Sequence, residues 1–124
     1  MPIKYDIDRP RGIIIETWWG KITKETVAHH WEKCLSDPEV LDCRRTLADL
    51  RQSEIAFTGP ELEQLVKAVA IPKLTGKKWK TAILVSNSLQ FGSSRQYQVF
   101  AESFSKDSIF YDETAAILWL NQPD

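Results

Sequence analysis

Thr81-Ala82-Ile83-Leu84-Val85 is the most apolar of the strand-like runs of the chain, and the fold follows from it. Such a run reads as a strand covered on both faces, at the centre of a largely parallel sheet. The earlier run Gly12-Ile13-Ile14-Ile15 has the same character, and the segments between the two carry apolar residues at helical spacing. Strands that alternate with helices imply an α/β domain. In such a sheet the loops that follow the strands gather at one edge, where ligands usually bind.

Working outward, Ile3 to Asp8 and Gly12 to Trp19 predict a hairpin turned by Arg9-Pro10-Arg11-Gly12, because Pro and Gly supply the backbone angles of a tight turn. Thr23 can cap a helix from Lys24 to Leu35, with Val27, Trp31, Cys34 and Leu35 on one stripe, and Asp37-Pro38 ends it. A third strand is expected at Thr46 to Leu50. Thr58-Gly59-Pro60-Glu61 fits a capping box with an early proline, and it starts a helix whose stripe is Leu62, Leu65, Val66 and Val69. A loop from Pro72 to Lys80 leads into the central strand. A helix from Phe91 to Phe104, a strand from Ser108 to Tyr111 and a short helix after Asp112, burying Ala115, Leu118 and Trp119, complete the order. The expectation is one α/β domain over residues 1–124, with an N-terminal β-hairpin, a mostly parallel five-stranded sheet and about four helices.

Composition narrows the function classes. The length allows a single core that buries roughly two thirds of the unfolded chain's surface. A net charge of -1, with 43% hydrophobic and 27% charged residues, gives no overall electrostatic case for nucleic acid. No run approaches the roughly 18 apolar residues of a membrane span, and Met1 to Asp6 lacks the apolar core of a signal peptide, so a cytoplasmic protein is expected. Cys34 and Cys43 are too few to staple a fold or close a metal site, and both are expected to be reduced. Adjacent His29 and His30 diverge by about 100° on a helix and cannot grip one ion together. Neither a cofactor nor a metal is implied. Nucleophile elbows, glycine-rich phosphate loops and suitably spaced acid pairs are absent from the sequence, so an enzyme is not expected.

The order of elements, ending in Asp112-Glu113-Thr114-Ala115-Ala116-Ile117-Leu118-Trp119-Leu120, resembles the SpoIIAA-like group of the STAS superfamily over nearly the whole chain. The resemblance implies strands and helices stacked as a superhelix. It also implies one of the superfamily's uses: an anti-sigma-factor antagonist switched by phosphorylation, or a binder of small molecules or lipids. Asp49-Leu50 matches the pair that precedes the antagonists' Asp-Ser-Ser-Gly motif, and Phe57-Thr58-Gly59-Pro60 falls over the motif itself. Thr58 then occupies the phosphoacceptor position, while Phe57, Gly59 and Pro60 replace the acid, the second hydroxyl and the glycine. The plainer explanation of Thr58 is an N-cap, with Glu61 as its reciprocal partner.

Two regions are candidates for binding. At the carboxyl edge, the loop Ser86 to Arg95 combines hydroxyls, a helix N-terminus and an arginine, features that could hold a carboxylate or phosphate or simply cap the helix. Trp18 and Trp19 point to opposite faces of their strand, so one of them can line a site there with Thr58, Phe91, Ser93, Ser94 and Arg95, the other being core. Ser53 and Thr58 are the candidate phosphosites. At the other edge, Lys73, Lys77, Lys78 and Lys80 surround Trp79 and suit an anionic surface or lipid headgroups. Arg9, Arg11, Arg44 and Arg45 join them, and cations there also complement helix C-termini. The leading expectation is a non-enzymatic domain that binds a small apolar or anionic ligand, or a protein partner, at the carboxyl edge. A phospho-switch at Thr58 and a peripheral lipid contact are the alternatives. A hairpin edge or an aromatic helix face could pair two copies as a homodimer.

Overall fold

A computed structural model describes residues 2–123. The hairpin forms from β1 (Ile3–Asp8) and β2 (Ile13–Ile22), and β3 (Arg45–Ile55), β4 (Trp79–Leu84) and β5 (Ser105–Phe110) follow. They make one sheet in the order β1-β2-β3-β4-β5, with β1 antiparallel to β2 and the other neighbours parallel. The α/β domain with a five-stranded, mostly parallel sheet is therefore present as the apolar runs predicted.

Pleating sorts the side chains of the sheet into two cores, because alternate residues point to opposite faces. Along β4, Trp79 and Ile83 face one side with Ile14, Trp18 and Leu50, while Ala82 and Leu84 face the other with Ile13 and Leu47. The first face is covered by α1 (Lys24–Cys34), α2 (Pro38–Cys43), α3 (Gly59–Leu65), α4 (Ile71–Leu74) and α5 (Ser88–Phe100). The second face is covered by α6 (Glu113–Asn121), which buries Ala116 and Leu120. Leu118, expected to be buried with Ala115 and Trp119, is 61% exposed. The stripe of α6 is one residue out of the register assigned from its sequence. A helix that is apolar almost all round, Ala115-Ala116-Ile117-Leu118-Trp119-Leu120, carries no polar face to fix its rotation.

Several boundaries differ from the sequence reading for local reasons. Asp37-Pro38 does not only end α1: the Asp37 carboxylate accepts from Glu39 N at 3.0 Å and starts α2, with Pro38 in the first turn. Pro72 lies within α4 rather than in a loop. A proline ring cannot follow a regular α-turn, having no N–H and clashing with the carbonyl four residues back, and a π-helical turn over Val66–Ala70 precedes it. Leu62, Val66, Ala70 and Leu74 then bury at four-residue steps. The wider turn explains why these, rather than Leu65 and Val69, form the inner line. Strand β3 runs past Leu50 to Ile55, and Thr17 pairs with Asp49 but Trp19 with Gln52. One extra β3 residue therefore makes a bulge opposite Trp18.

Candidate functional site

Beneath the helix layer lies a cavity of about 90 Å³. Its floor is the sheet: Glu16 and Trp18 of β2, Thr46, Ala48 and Leu50 of β3, and Trp79, Thr81 and Ile83 of β4. Its roof comes from Trp31, Cys34 and Leu35 near the end of α1, from Leu62, Ala70 and Leu74, and from Ser93, Ser94 and Tyr97 of α5. Trp31 and Tyr97 approach across the roof with ring centroids 5.9 Å apart. Phe57 is half buried and adds an apolar wall. Three of the five tryptophans thus line one space.

The cavity carries few polar groups, and most are tied. Trp79 Nε1 donates to Thr46 Oγ1 at 2.9 Å, and Ser94 Oγ donates to Gln90 O at 2.8 Å. Trp18 Nε1 donates to Glu16 Oε1 at 3.1 Å. The other Glu16 oxygen, Oε2, lies 3.1 Å from His30 Nε2, yet without hydrogen-bond alignment, so Nε2 is buried with no hydrogen-bond partner. Burial works to raise the Glu16 carboxyl, but His30 and the Trp18 indole outweigh it and hold it below the ordinary carboxylate range. Cys34 is pushed well up, by burial first and then by the Glu16 and Asp37 carboxylates. Burial also raises the Tyr97 phenol, with Asp107 and Glu16 adding to the effect. Tyr5 donates to Asp37 Oδ2 at 2.9 Å, and burial with that carboxylate pushes its phenol up to about 12.

Ligand atoms of Glu16, His30 and Cys34 lie within 4.8 Å of one another, all three residues being buried. Of the two adjacent histidines only His30 belongs to this set. Its signal was present, since His30 and Cys34 stand four residues apart on one helix face.

The residues expected at the carboxyl edge do not converge on one rim. Trp18 turns inward with Ser93 and Ser94, whereas Trp19 is 39% exposed rather than core. Phe91 is 38% exposed and stacks on Tyr111, with ring centroids 6.1 Å apart. Arg95 is exposed and donates to Gln98 Oε1 at 2.9 Å. The α5 loop spends its donors on itself: Gln90 N binds Asn87 Oδ1 at 2.9 Å, and Ser86 N binds Gln90 Oε1 at 2.8 Å. Polar composition there serves capping. Thr58 is likewise the N-cap of α3, its hydroxyl accepting from Glu61 N at 3.2 Å while Glu61 accepts from Thr58 N at 2.9 Å. Ser53 is buried and donates to Leu50 O at 2.7 Å.

The basic edge also differs from its expectation. Lys77 is half buried and Lys78 exposed, but Trp79 and Lys80 are buried. Lys80 Nζ donates to Trp119 O at 2.7 Å and Gln122 O at 3.0 Å and lies 4.5 Å from the Trp119 ring centroid. Arg45 donates to Leu120 O beside it. Both cations serve the C-terminal carbonyls of α6, as the helix-dipole reading of this edge anticipated. Trp79 and Lys80 are therefore unable to form a surface anchor. Among the described residues no helix is long and apolar enough to cross a membrane.

No family model matches the chain, and no curated protein matches it. Among solved structures it is similar to an uncharacterized protein of the DUF3478 family with a SpoIIAA-like fold from Shewanella loihica PV-4. Identity is 19%, the match covers 95% of this chain and 91% of that one, and the TM-score is 0.59. Together with the strand order and the two covered sheet faces, this shows that the chain has a SpoIIAA-like α/β fold.

Proposed function

We propose that the domain is a non-enzymatic binding module that takes one small, mainly apolar molecule between its sheet and the α1–α5 helix layer. The observation that carries this is the cavity itself. Protein interiors pack with few voids larger than a water, and about 10–15 Å³ is enough to hold one water. A space of about 90 Å³ is far above that. Its wall is mostly aromatic and aliphatic, with Thr46, Thr81, Ser93 and Tyr97 as occasional polar handles, which is the usual make-up of a small-molecule pocket. On this reading the ligand sits beneath the helix layer, and of the residues expected at the carboxyl edge Trp18, Ser93 and Ser94 line its space.

Benzene is a suitable probe because it needs only an apolar hole of its own size. A ligand that binds only the folded state raises stability by about 1.4 kcal/mol at ten times its dissociation constant, a shift of about 5 °C in Tm for a domain this long. Thermal denaturation followed by circular dichroism should show that rise, and Ala48→Phe, which fills the floor, should abolish it. An unchanged Tm in benzene, or the same rise in Ala48→Phe, would place the ligand elsewhere or nowhere.

A further inference from the structure

We propose that Glu16, His30 and Cys34 form a binding site for a borderline-soft divalent cation, zinc in the first place, with one coordination position open to the cavity. The donor set is the first argument: carboxylate, imidazole and thiolate are zinc's protein ligands, and three of them with an open fourth position is a familiar arrangement. Geometry is the second. Bond lengths of about 2.0–2.3 Å put tetrahedral ligand atoms about 3.3–3.8 Å apart. The Glu16 Oε2 to His30 Nε2 separation is 3.1 Å, and the whole set lies within 4.8 Å, a rotamer adjustment away. His30 and Cys34 are one turn apart on α1, so a single helix face delivers both.

The second observation is His30 Nε2, which is buried and paired with the Glu16 carboxylate but makes no aligned hydrogen bond. A buried imidazole nitrogen with no aligned hydrogen bond is costly unless something else binds it, and it lies 3.1 Å from the Glu16 oxygen that Trp18 leaves free. Trp18 acts as an outer partner that fixes the carboxylate through its other oxygen. Charge closes the account. When the Cys34 thiol gives its proton to solvent and bonds the ion, one carboxylate, one thiolate and a dication sum to neutrality inside the core. Without a cation the carboxylate repels a thiolate, and with one between them both are attracted. Glu16 and Cys34 also line the cavity, so the fourth position can take water or a donor atom of a guest. This inference is independent of the apolar-ligand reading, since the metal can bind with the cavity otherwise empty.

Cobalt(II) is the probe, added to the reduced protein. One Co²⁺ per chain should bind, with a thiolate-to-cobalt charge-transfer band in the near ultraviolet and intense visible bands of a four-coordinate ion, and Zn²⁺ should displace it. Cys34→Ser should remove the charge-transfer band and Cys43→Ser should leave it, these being the chain's two cysteines. Glu16→Gln should weaken the affinity at least tenfold. If Cys34→Ser does not fold, ring-proton NMR of the unaltered protein makes the same distinction: Zn²⁺ should shift His30 and leave His29 in place. No uptake of Co²⁺, a band that follows Cys43, or a shift of His29 alone would overturn the proposal.

Discussion

Leu84→Ala is expected to lower the folding free energy by about 3–5 kcal/mol and the urea midpoint by about 1–3 M, without a change in slope. Leu84 has no exposed surface, sits in β4 between β3 and β5, and packs with Ala116 and Leu120 of α6. Removing its branched end leaves a void that two parallel strands and a helix cannot collapse to fill. Against a usual total of about 5–15 kcal/mol, the loss is a large share. Leu118→Ala is the matched control: at 61% exposed it should stay within about 0.5 kcal/mol of wild type. Equal losses from the two would mean that α6 presents a different face to the sheet.

The second large effect concerns pH. Asp107 is buried on β5, with Oδ1 accepting from Ser105 Oγ at 2.6 Å and Oδ2 having no hydrogen-bond partner. Burial raises its carboxyl to about 6, against the smaller opposing pull of Ser105 and Thr81. A folded value above the unfolded one means that the group favours folding while protonated. Its contribution is complete below about pH 4, is lost as pH rises towards 6, and is flat above that. About two pH units correspond to about 3 kcal/mol. Asp107→Asn should therefore match wild type near pH 4 and exceed its stability by up to that amount at pH 8. Urea unfolding of both proteins at the two pH values gives the difference, which cancels the contributions of acids such as Glu16 that titrate the other way. Parallel profiles would show that Asp107 ionises freely in the fold.

Much of the architecture was readable because the strands are marked by composition: Ile13-Ile14-Ile15 and Ala82-Ile83-Leu84-Val85 are apolar on both faces, as central parallel strands must be. The far half of β3 was not. Arg51-Gln52-Ser53-Glu54 is polar, and it is a strand only because the bulge at Leu50 and Arg51 lets it continue alongside Trp19 to Ile22. The π-helical turn before Pro72 likewise has no signature in an apolar stripe. Site residues were harder still. Hydroxyls, amides and an arginine around α5 suggested a ligand loop, but the same residue types cap helices or pair along them, as Asn87 with Gln90 and Arg95 with Gln98 do here. Glu16, placed after three isoleucines, could point to solvent or to the core, and strand alternation does not say which. Its inward direction is decided by which face of β2 receives α1, a tertiary fact. The i, i+4 pair of His30 and Cys34 was legible but gained meaning only once β2 brought Glu16 beneath it.

The claim on which the rest stands is that binding occurs inside the helix layer rather than on the loops at the sheet's edge. Five indole N–H resonances report on it directly, one from each tryptophan of the ¹⁵N-labelled protein. On titration with benzene, the signals of Trp18, Trp31 and Trp79 should move together and saturate at one equivalent bound, while Trp19 and Trp119 stay fixed. Movement of Trp19 alone, or of none of the five, would contradict it.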